Sequence, residues 1–406
     1  MPTTIPAIFI LLITIVIIGG PKMRIKVCDP ALIKNWQIVE RISRGPKTMS
    51  ILSGIYVKAH GDKITLMATD LKTSIKCTIH EAIIEEEGES IFPTKGVGEI
   101  IKKLSLDFLI EATNERVTIK HERNKFSFTN YPTEDFPKLP TSASATLACC
   151  IDARELLRII SEGSFTGSST EEFPQYLSSA LLEFKENTTR LIATDGKRLS
   201  LSEADLTKKN VDEQTILIPI RGINELERIL STLNEEAIVE ILHDDSQCYF
   251  KADDIELAIR RVESVFPPYE RIISSDETTW MVVDRQKLID ALEKVEVVVR
   301  DYNKVVILNL NPAGNLFISA YAQNIGEAFM ELDADIDGEP LEVGFNVSYL
   351  LQGVKAIRDA TVRLSFNGPH GQMRLRKLGS DNFLYILMPV ILPDDMLKEK
   401  EEINEV

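Results

Sequence analysis

Apolar and polar positions alternate in short stretches along most of the chain, and helical spacing interrupts them at six places. KFSFTNY (Lys125 to Tyr131), TRLIATD (Thr189 to Asp195) and VRLSFNG (Val362 to Gly368) carry β-branched, aromatic or aliphatic residues at alternate positions. That period of two predicts strands with one buried face. PALIKNWQIV after Asp29, ARELLRII after Asp152 and RQKLIDALEKV after Asp284 instead place apolar residues three and four apart, which predicts amphipathic helices. Each aspartate suits an N-cap: its carboxylate accepts from the orphan amides of the first turn and its charge complements the positive helix end. A second helix is predicted downstream of each, in PTKGVGEIIKKLS from Pro93, PIRGINELERILS from Pro219 and NVSYLLQGVKAIRD from Asn346.

This pattern recurs. LMATDLKTSI, from Leu66, returns as LIATDGKRLSL from Leu191, with the Ala-Thr-Asp shifted by 125 residues. A fainter copy, LFISAYAQNI, puts Ala320 a further 127 residues on. The first two copies close on Phe136-Pro137 and Phe266-Pro267, and the third on Met388-Pro389. Such a period matches a whole domain and far exceeds a solenoid unit. The prediction is an α+β protein of three similar domains, each with two strand-rich halves and one helix apiece. Their bounds are 23–143, 147–273 and 275–392, between an apolar extension (1–22) and a charged tail (393–406).

Composition changes the picture in one respect. A net charge of −16 argues against nucleic acid if it is spread evenly, but it is not. The six helical windows (29–45, 93–105, 152–163, 219–231, 284–300 and 345–359) hold 16 basic and 13 acidic residues, against 46 and 62 in the whole chain. Segregated charge leaves a helical face that can meet an anion.

Candidate chemistry is scarce. Five cysteines with no C-x-x-C spacing give neither a zinc site nor a disulfide framework, and fit a reduced, cytoplasmic setting. The five histidines are scattered, and no phosphate-cradling loop, nucleophile elbow or dinucleotide fingerprint occurs. Asp70 and Asp195 each follow a strand and an Ala-Thr, a placement that suits turn formation. No catalytic centre, metal or cofactor is expected. The apolar run Ile5 to Ile18 is shorter than the ~20 residues that span a bilayer, and no basic residue precedes it. The expectation is that the native chain starts at Met23 and does not engage a membrane. A membrane-attached scaffold and an enzyme of unknown type stand as weaker alternatives.

ATDGKRL, FPPYERI, FNVSYLL and the Met-Pro end, in that order, resemble the bacterial sliding clamps, the beta subunit of DNA polymerase III, over about Met23 to Leu392. The resemblance implies a head-to-tail homodimer, a ring of six domains around double-stranded DNA, gripped without regard to sequence. It implies a non-catalytic processivity factor whose partners are the replicative polymerase, a clamp loader and other proteins with a clamp-binding motif. Helix residues placed to meet phosphate are then Lys34, Arg41, Arg44, Lys47, Lys102, Lys103, Arg154, Arg158 and Arg221. A partner-peptide groove between the second and third domains maps onto Leu177, Thr194, Gly196, Lys197, Arg198, Leu199, Pro267, Arg271, Ile272, Ile386, Met388, Pro389, Val390 and Leu392. Arg198 and Arg271 are expected at its rim. The dimer seam falls on Phe126 and Phe128 of an edge strand, with Val297 and Val298 beside the partner edge. Two departures stand out. The family's DNA-contact loop reads TEEFPQ here (Thr170 to Gln175), acidic and so poorly suited to DNA. Ile391 stands where the family commonly has arginine, and a charged tail follows Leu392.

Overall fold

The computed structural model describes residues 23–44, 48–185, 187–209, 213–312 and 314–391. One order of elements occurs three times. The first copy runs β1 (Met23–Val27), α1 (Ala31–Ser43), β2 (Gly54–His60), β3 (Lys63–Thr69), β4 (Thr73–Ile79), β5 (Ile83–Glu86), β6 (Gly88–Pro93), α2 (Thr94–Ile101), β7 (Phe108–Ala112), β8 (Arg116–His121) and β9 (Asn124–Thr129). The second runs β10 (Thr146–Asp152), α3 (Ala153–Gly163), β11 (Ser179–Lys185), β12 (Thr188–Thr194), β13 (Arg198–Asp205), β14 (Lys208–Lys209), β15 (Gln214–Pro219), α4 (Ile220–Leu230), β16 (Ile238–His243), β17 (Gln247–Ala252) and β18 (Ile255–Arg260). The third runs β19 (Thr279–Asp284), α5 (Arg285–Val299), β20 (Val305–Asn311), β21 (Asn315–Ala322), β22 (Gly326–Asp333), β23 (Asp335–Gly338), β24 (Leu341–Asn346), α6 (Val347–Ala356), β25 (Thr361–Phe366), β26 (Met373–Lys377) and β27 (Ser380–Leu387).

Sheet topology repeats with the elements. Strand orders β5-β1-β7-β8-β9, β14-β10-β16-β17-β18 and β23-β19-β25-β26-β27 are equivalent, as are β4-β3-β2-β6, β13-β12-β11-β15 and β22-β21-β20-β24. In each copy the two helices pack on each other: α1 on α2, α3 on α4, α5 on α6. The Ala-Thr-Asp landmarks fall at equivalent strand ends, after β3 and after β12.

The described residues form two compact units: those up to 70 with 75–138, and 71–74 with those from 139 to 391. The second and third copies share the latter because β13 pairs antiparallel with β27, Leu199 opposite Ile386 and Leu201 opposite Leu384. That pairing joins two four- and five-stranded pieces into one sheet of nine strands. The third copy's core lies between its helices and sheets, around Leu288, Leu292, Phe345, Leu350, Phe366 and Tyr385.

The helix starts follow the capping chemistry with two adjustments. Asp152 accepts from Arg154 N at 2.8 Å and Glu155 N at 3.3 Å, and Asp284 accepts from Lys287 N at 2.8 Å. Before α1 the cap position is Pro30, one residue later than expected, and Asp29 Oδ1 still accepts from Ala31 N at 2.6 Å. The first turn of α2 is irregular through Lys95 and Gly96, so its regular part starts later than Pro93 suggests.

Gly163 ends α3 against β12, where an added Cβ would stand 2.4 Å from the Leu191 carbonyl oxygen. Backbone cannot swing aside as a side chain can. Gly163→Ala is expected to destabilise the second unit by about 1 to 3 kcal/mol, read as a lower urea midpoint. An unchanged midpoint would show that α3 and β12 separate freely.

Candidate functional site

The turn from β12 to β13 is built by its own side chains. Thr194 Oγ1 donates to the Arg198 carbonyl at 2.7 Å and accepts from Gly196 N at 3.1 Å. Asp195 Oδ1 accepts from Lys197 N at 3.0 Å and Arg198 N at 3.1 Å, the turn-forming role read from its position. Gly196 sits at φ +83°, open to a residue without Cβ, and no atom lies within 4 Å of where one would be.

That turn aims Arg198 inward. Its Nε donates to Asp195 Oδ2 at 2.9 Å and its Nη1 to Gln352 Oε1 of α6 at 2.7 Å. The guanidinium lies 4.0 Å from the centroid of the Tyr349 ring. Arg198 is 9% exposed, so the expectation of a rim residue is corrected: a carboxylate, an amide and a ring face have already claimed it. It links the second copy to the third. Tyr349 and Gln352, three apart on α6, were not singled out from the sequence.

From β27 the chain crosses that turn. Met388 N donates to the Lys197 carbonyl at 3.1 Å, and Val390 N to Gly344 of β24 at 2.8 Å. Backbone is thus fixed at both ends of Met388-Pro389-Val390, while the Met388 side chain stays 44% exposed. Pro389 and Val390 are half-buried; Lys197 and Ile391 are exposed. Strands β11, β12, β13 and β27 carry an apolar strip: Leu181, Ile192, Leu199, Leu201, Leu384 and Ile386, packed with Tyr176, Phe266 and Tyr269. Leu199 and Ile386 are 3% and 2% exposed, so they hold the strip from below. Leu177 and Pro267 are half-buried next to Tyr176 and Phe266, while Arg271 and Ile272 are exposed. Tyr176 and Phe266 have ring centroids 5.9 Å apart; the sequence marks Phe266 only as part of the Phe266-Pro267 landmark and gives no sign of Tyr176, although each adjoins a named wall residue. Leu392 lies outside the described residues.

The helix cations divide sharply. In the first unit, Lys34 and Arg41 stand exposed on α1 seven residues apart, and Lys103 is exposed after α2. Arg44 and Lys102 both contact Glu40, a carboxylate only 5% exposed that also accepts from Trp36 Nε1. Lys47 lies outside the described residues. In the second unit Arg154 is exposed, but Arg158 is not available to phosphate. Its guanidinium donates to Glu155 at 2.7 Å, Glu162 at 2.9 Å, Ser202 at 3.2 Å and the Glu203 carbonyl at 2.8 Å. That corrects its placement among the phosphate-meeting residues. Arg221, exposed, lines an open cavity of about 560 Å³ with Ser169, Thr170, Glu171, Asn224, Glu225 and Arg228. Lys287 and Lys294, exposed seven apart on α5, form a third-copy counterpart that the sequence reading passed over.

Among the strands at sheet edges within the described residues, two concern the expected seam. β9 borders one sheet of the first copy and β22 one sheet of the third. Phe126 and Phe128 lie opposite Ile119 and Val117, both fully buried, so the two rings face inward and are half-covered. On β22, Phe329 is 66% exposed and stacks on Phe317 at 5.6 Å. α5 packs on β22 and leaves Val297 65% exposed, whereas Val298 packs against the third copy's core. Among the described residues no group of acidic, histidine or cysteine side chains is placed to hold a metal ion, and no helix is long and apolar enough to cross a membrane. Burial pushes the Cys149 thiol up to about 12, which makes it a poor nucleophile.

Solved structures share this threefold architecture. A sliding clamp (DNA polymerase III subunit beta) from Pseudomonas aeruginosa superposes with a TM-score of 0.85 at 28% identity, over 92% of this chain and all of that one. The sliding clamp from Bacillus subtilis gives 0.86 at 25% identity, with the same coverage. The fold is therefore that of a DNA clamp. In sequence, the beta sliding clamp of Pseudomonas putida is 29% identical over 364 residues, 89% of this chain and 98% of that protein. That of Caulobacter vibrioides is 28% identical over 380 residues, 91% and 100%. Models of the DNA polymerase III beta subunit match three times in succession: the N-terminal domain at 23–140, the central domain at 150–268 and the C-terminal domain at 270–391. Together they take in nearly all of the described chain, which belongs to the DNA polymerase III beta-subunit family, the bacterial sliding clamps. It is a non-catalytic DNA polymerase processivity factor, a partner of DNA and polymerase that associates with itself.

Proposed function

We propose that two copies of the chain close head to tail into a ring of six domains, bounded at 23–143, 147–273 and 275–392, around duplex DNA in the cytoplasm. The helix faces bearing Lys34, Arg41, Lys103, Arg154 and Arg221 turn toward phosphate, while the acidic remainder discourages DNA from settling outside. Topology supplies the hold, so individual contacts can be weak and indifferent to sequence, which lets the ring slide.

The strip beside Met388, Pro389 and Val390 takes short apolar segments of the replicative polymerase, the clamp loader and other motif-bearing proteins. One observation carries this reading: Met388 is 44% exposed although the backbone on either side of it is hydrogen-bonded to β24 and to the β12–β13 turn. An exposed, deformable thioether side chain on a rigid support is a preformed anchor point. Apolar contact there gains about 25 cal/mol per Å² removed from water. The exposed Lys197 and Arg271 are left to meet polar atoms of the ligand.

Fluorescence anisotropy of a labelled Gln-Leu-Ser-Leu-Phe peptide tests this with the full chain. Saturable binding is expected, and Met388→Ala is expected to weaken it about tenfold, or about 1.4 kcal/mol. Equal affinities in the two proteins would place the peptide elsewhere.

A further inference from the structure

We propose that Glu183, on β11, is a positioning residue for the peptide groove: through the hydroxyl of Tyr269 it fixes the wall that carries Pro267 and Ile272. The inference rests on the reading that the strip beside Met388 takes a partner peptide, and it concerns what holds that site in shape.

Pro267 and Ile272 lie on the stretch between β18 and β19, which joins the second copy to the third. Its backbone meets the sheets near its ends, where Val262 N donates to the Leu217 carbonyl and Thr278 N to the Phe366 carbonyl, both at 2.9 Å. Between those points side chains hold it. Val262, Phe266 and Ile273 pack on the apolar strip but are only partly buried, whereas Tyr269 is 3% exposed. Apolar contact tolerates sliding, while a hydrogen bond fixes a distance and a direction. Tyr269 also opens a tight turn: Arg271 N donates to the Pro268 carbonyl at 3.1 Å and Ile272 N to the Tyr269 carbonyl at 2.9 Å. Whatever fixes Tyr269 therefore fixes Ile272.

Glu183 supplies that bond. It stands two residues from Leu181 on β11, so on the strip's face, and is 7% exposed. A carboxylate buried there is costly unless partners meet it. Its Oε2 accepts from the Tyr269 hydroxyl at 2.7 Å, and its Oε1 lies 3.2 Å from Lys185 Nζ. Arg190, opposite on β12, brings Nη1 to 3.9 Å from Oε2. Lys185 also donates to Glu270, the residue after Tyr269, at 3.3 Å. Burial and then the bond to Glu183 push the Tyr269 hydroxyl above its usual range, so it remains a donor at neutral pH. From the third copy, Gln372 Nε2 donates to the Ile272 carbonyl at 2.8 Å. Ile272 is thus tied to both copies while staying 47% exposed, the combination of fixed backbone and exposed apolar side chain already seen at Met388.

Anisotropy of the labelled Gln-Leu-Ser-Leu-Phe peptide with the full chain, paired with amide hydrogen exchange, tests the assignment. Tyr269→Phe keeps the ring and removes the bond, and is expected to weaken the peptide about fivefold. The same change should speed exchange at Arg271 and Ile272 while β12 and β13 stay protected. Glu183→Ala should act likewise, and combining it with Tyr269→Phe should weaken binding no further than either alone. Glu183→Gln should keep parental values in both measurements, because its amide oxygen still accepts from the hydroxyl. Gly163→Ala, which lowers the stability of the same unit away from the linker, should leave affinity unchanged. The proposal is overturned if Tyr269→Phe alters neither affinity nor exchange, or if Glu183→Gln binds as poorly as Glu183→Ala. It is equally overturned if Gly163→Ala weakens the peptide to the same extent. Met388→Ala separates this proposal from the groove itself. If it weakens the peptide and Tyr269→Phe does not, the groove stands and the role of Glu183 fails. If neither variant alters binding, the groove reading fails with it.

Discussion

Glu162→Ala is expected to cost the second unit about 3 to 5 kcal/mol, a large part of a typical folding free energy. Glu162 lies in the last turn of α3 with its side chain 6% exposed, and three donors converge on it. Lys377 Nζ of β26 approaches Oε1 at 2.6 Å, while Arg158 Nη1 and Ser202 Oγ donate to Oε2 at 2.9 and 2.6 Å. The Lys377 side chain is itself 8% exposed and lies over the Phe383 ring. Removing the carboxylate strands this ammonium in apolar surroundings; Arg158 suffers less, because it keeps Glu155. The cost comes from the orphaned partner more than from a lost attraction, and that distinction can be measured. Glu162→Leu combined with Lys377→Met removes both charges and should unfold within about 1 kcal/mol of the parent, or above it. Urea denaturation followed by circular dichroism gives the midpoints. If the single and double variants fall equally, the ion pair is not the source of the loss, and the packing of α3 against β13 is.

Much of the fold was legible because local rules and the repeat agree. Period-two runs became strands, and Asp152 and Asp284 became caps. The repeated Ala-Thr-Asp marked equivalent strand ends, after β3 and after β12. Legibility failed where a residue's role depends on a partner distant in sequence. Arg198 and Arg158 looked like free cations because residue type reports charge and not whether the charge is already spent. A local warning existed in both cases: Arg198 has Asp195 three residues before it, and Arg158 has Glu155 three before and Glu162 four after, the spacings at which helix or turn neighbours meet. Arg154 has no acidic residue at those spacings on its own helix and remains exposed. Leu199 and Ile386 were placed near the groove by the family resemblance alone, and their packing with Tyr269 and Phe266 is a tertiary fact.

The seam prediction follows from the molecule's own internal joint. Within the second unit, the last strand of the third copy, β27, pairs antiparallel with the third strand of the four-strand group in the second copy, β13. By the repeat, β9 is the equivalent of β27 and β22 the equivalent of β13, and both are left at sheet edges. A second chain can complete the same joint, and doing so removes two edge strands that would otherwise invite aggregation. Charge agrees: exposed Lys125 lies on β9, while Glu327 and Glu331 flank Phe329 on the exposed face of β22. Beneath the strands, the inward rings of Phe126 and Phe128 would meet the apolar surface that Val297 leaves open at the end of α5. Val297→Glu is therefore expected to halve the mass seen by sedimentation velocity at micromolar concentration, with the circular dichroism spectrum unchanged. Replacing Val298 as well confuses the result, because Val298 packs on the third copy's core and its loss would also lower stability. Lys125→Glu should weaken self-association by a smaller factor and more so at low salt, since exposed pairs contribute less than about 1 kcal/mol. A dimer of unchanged mass in Val297→Glu would move the seam away from the end of α5, and with it the joint borrowed from β13 and β27.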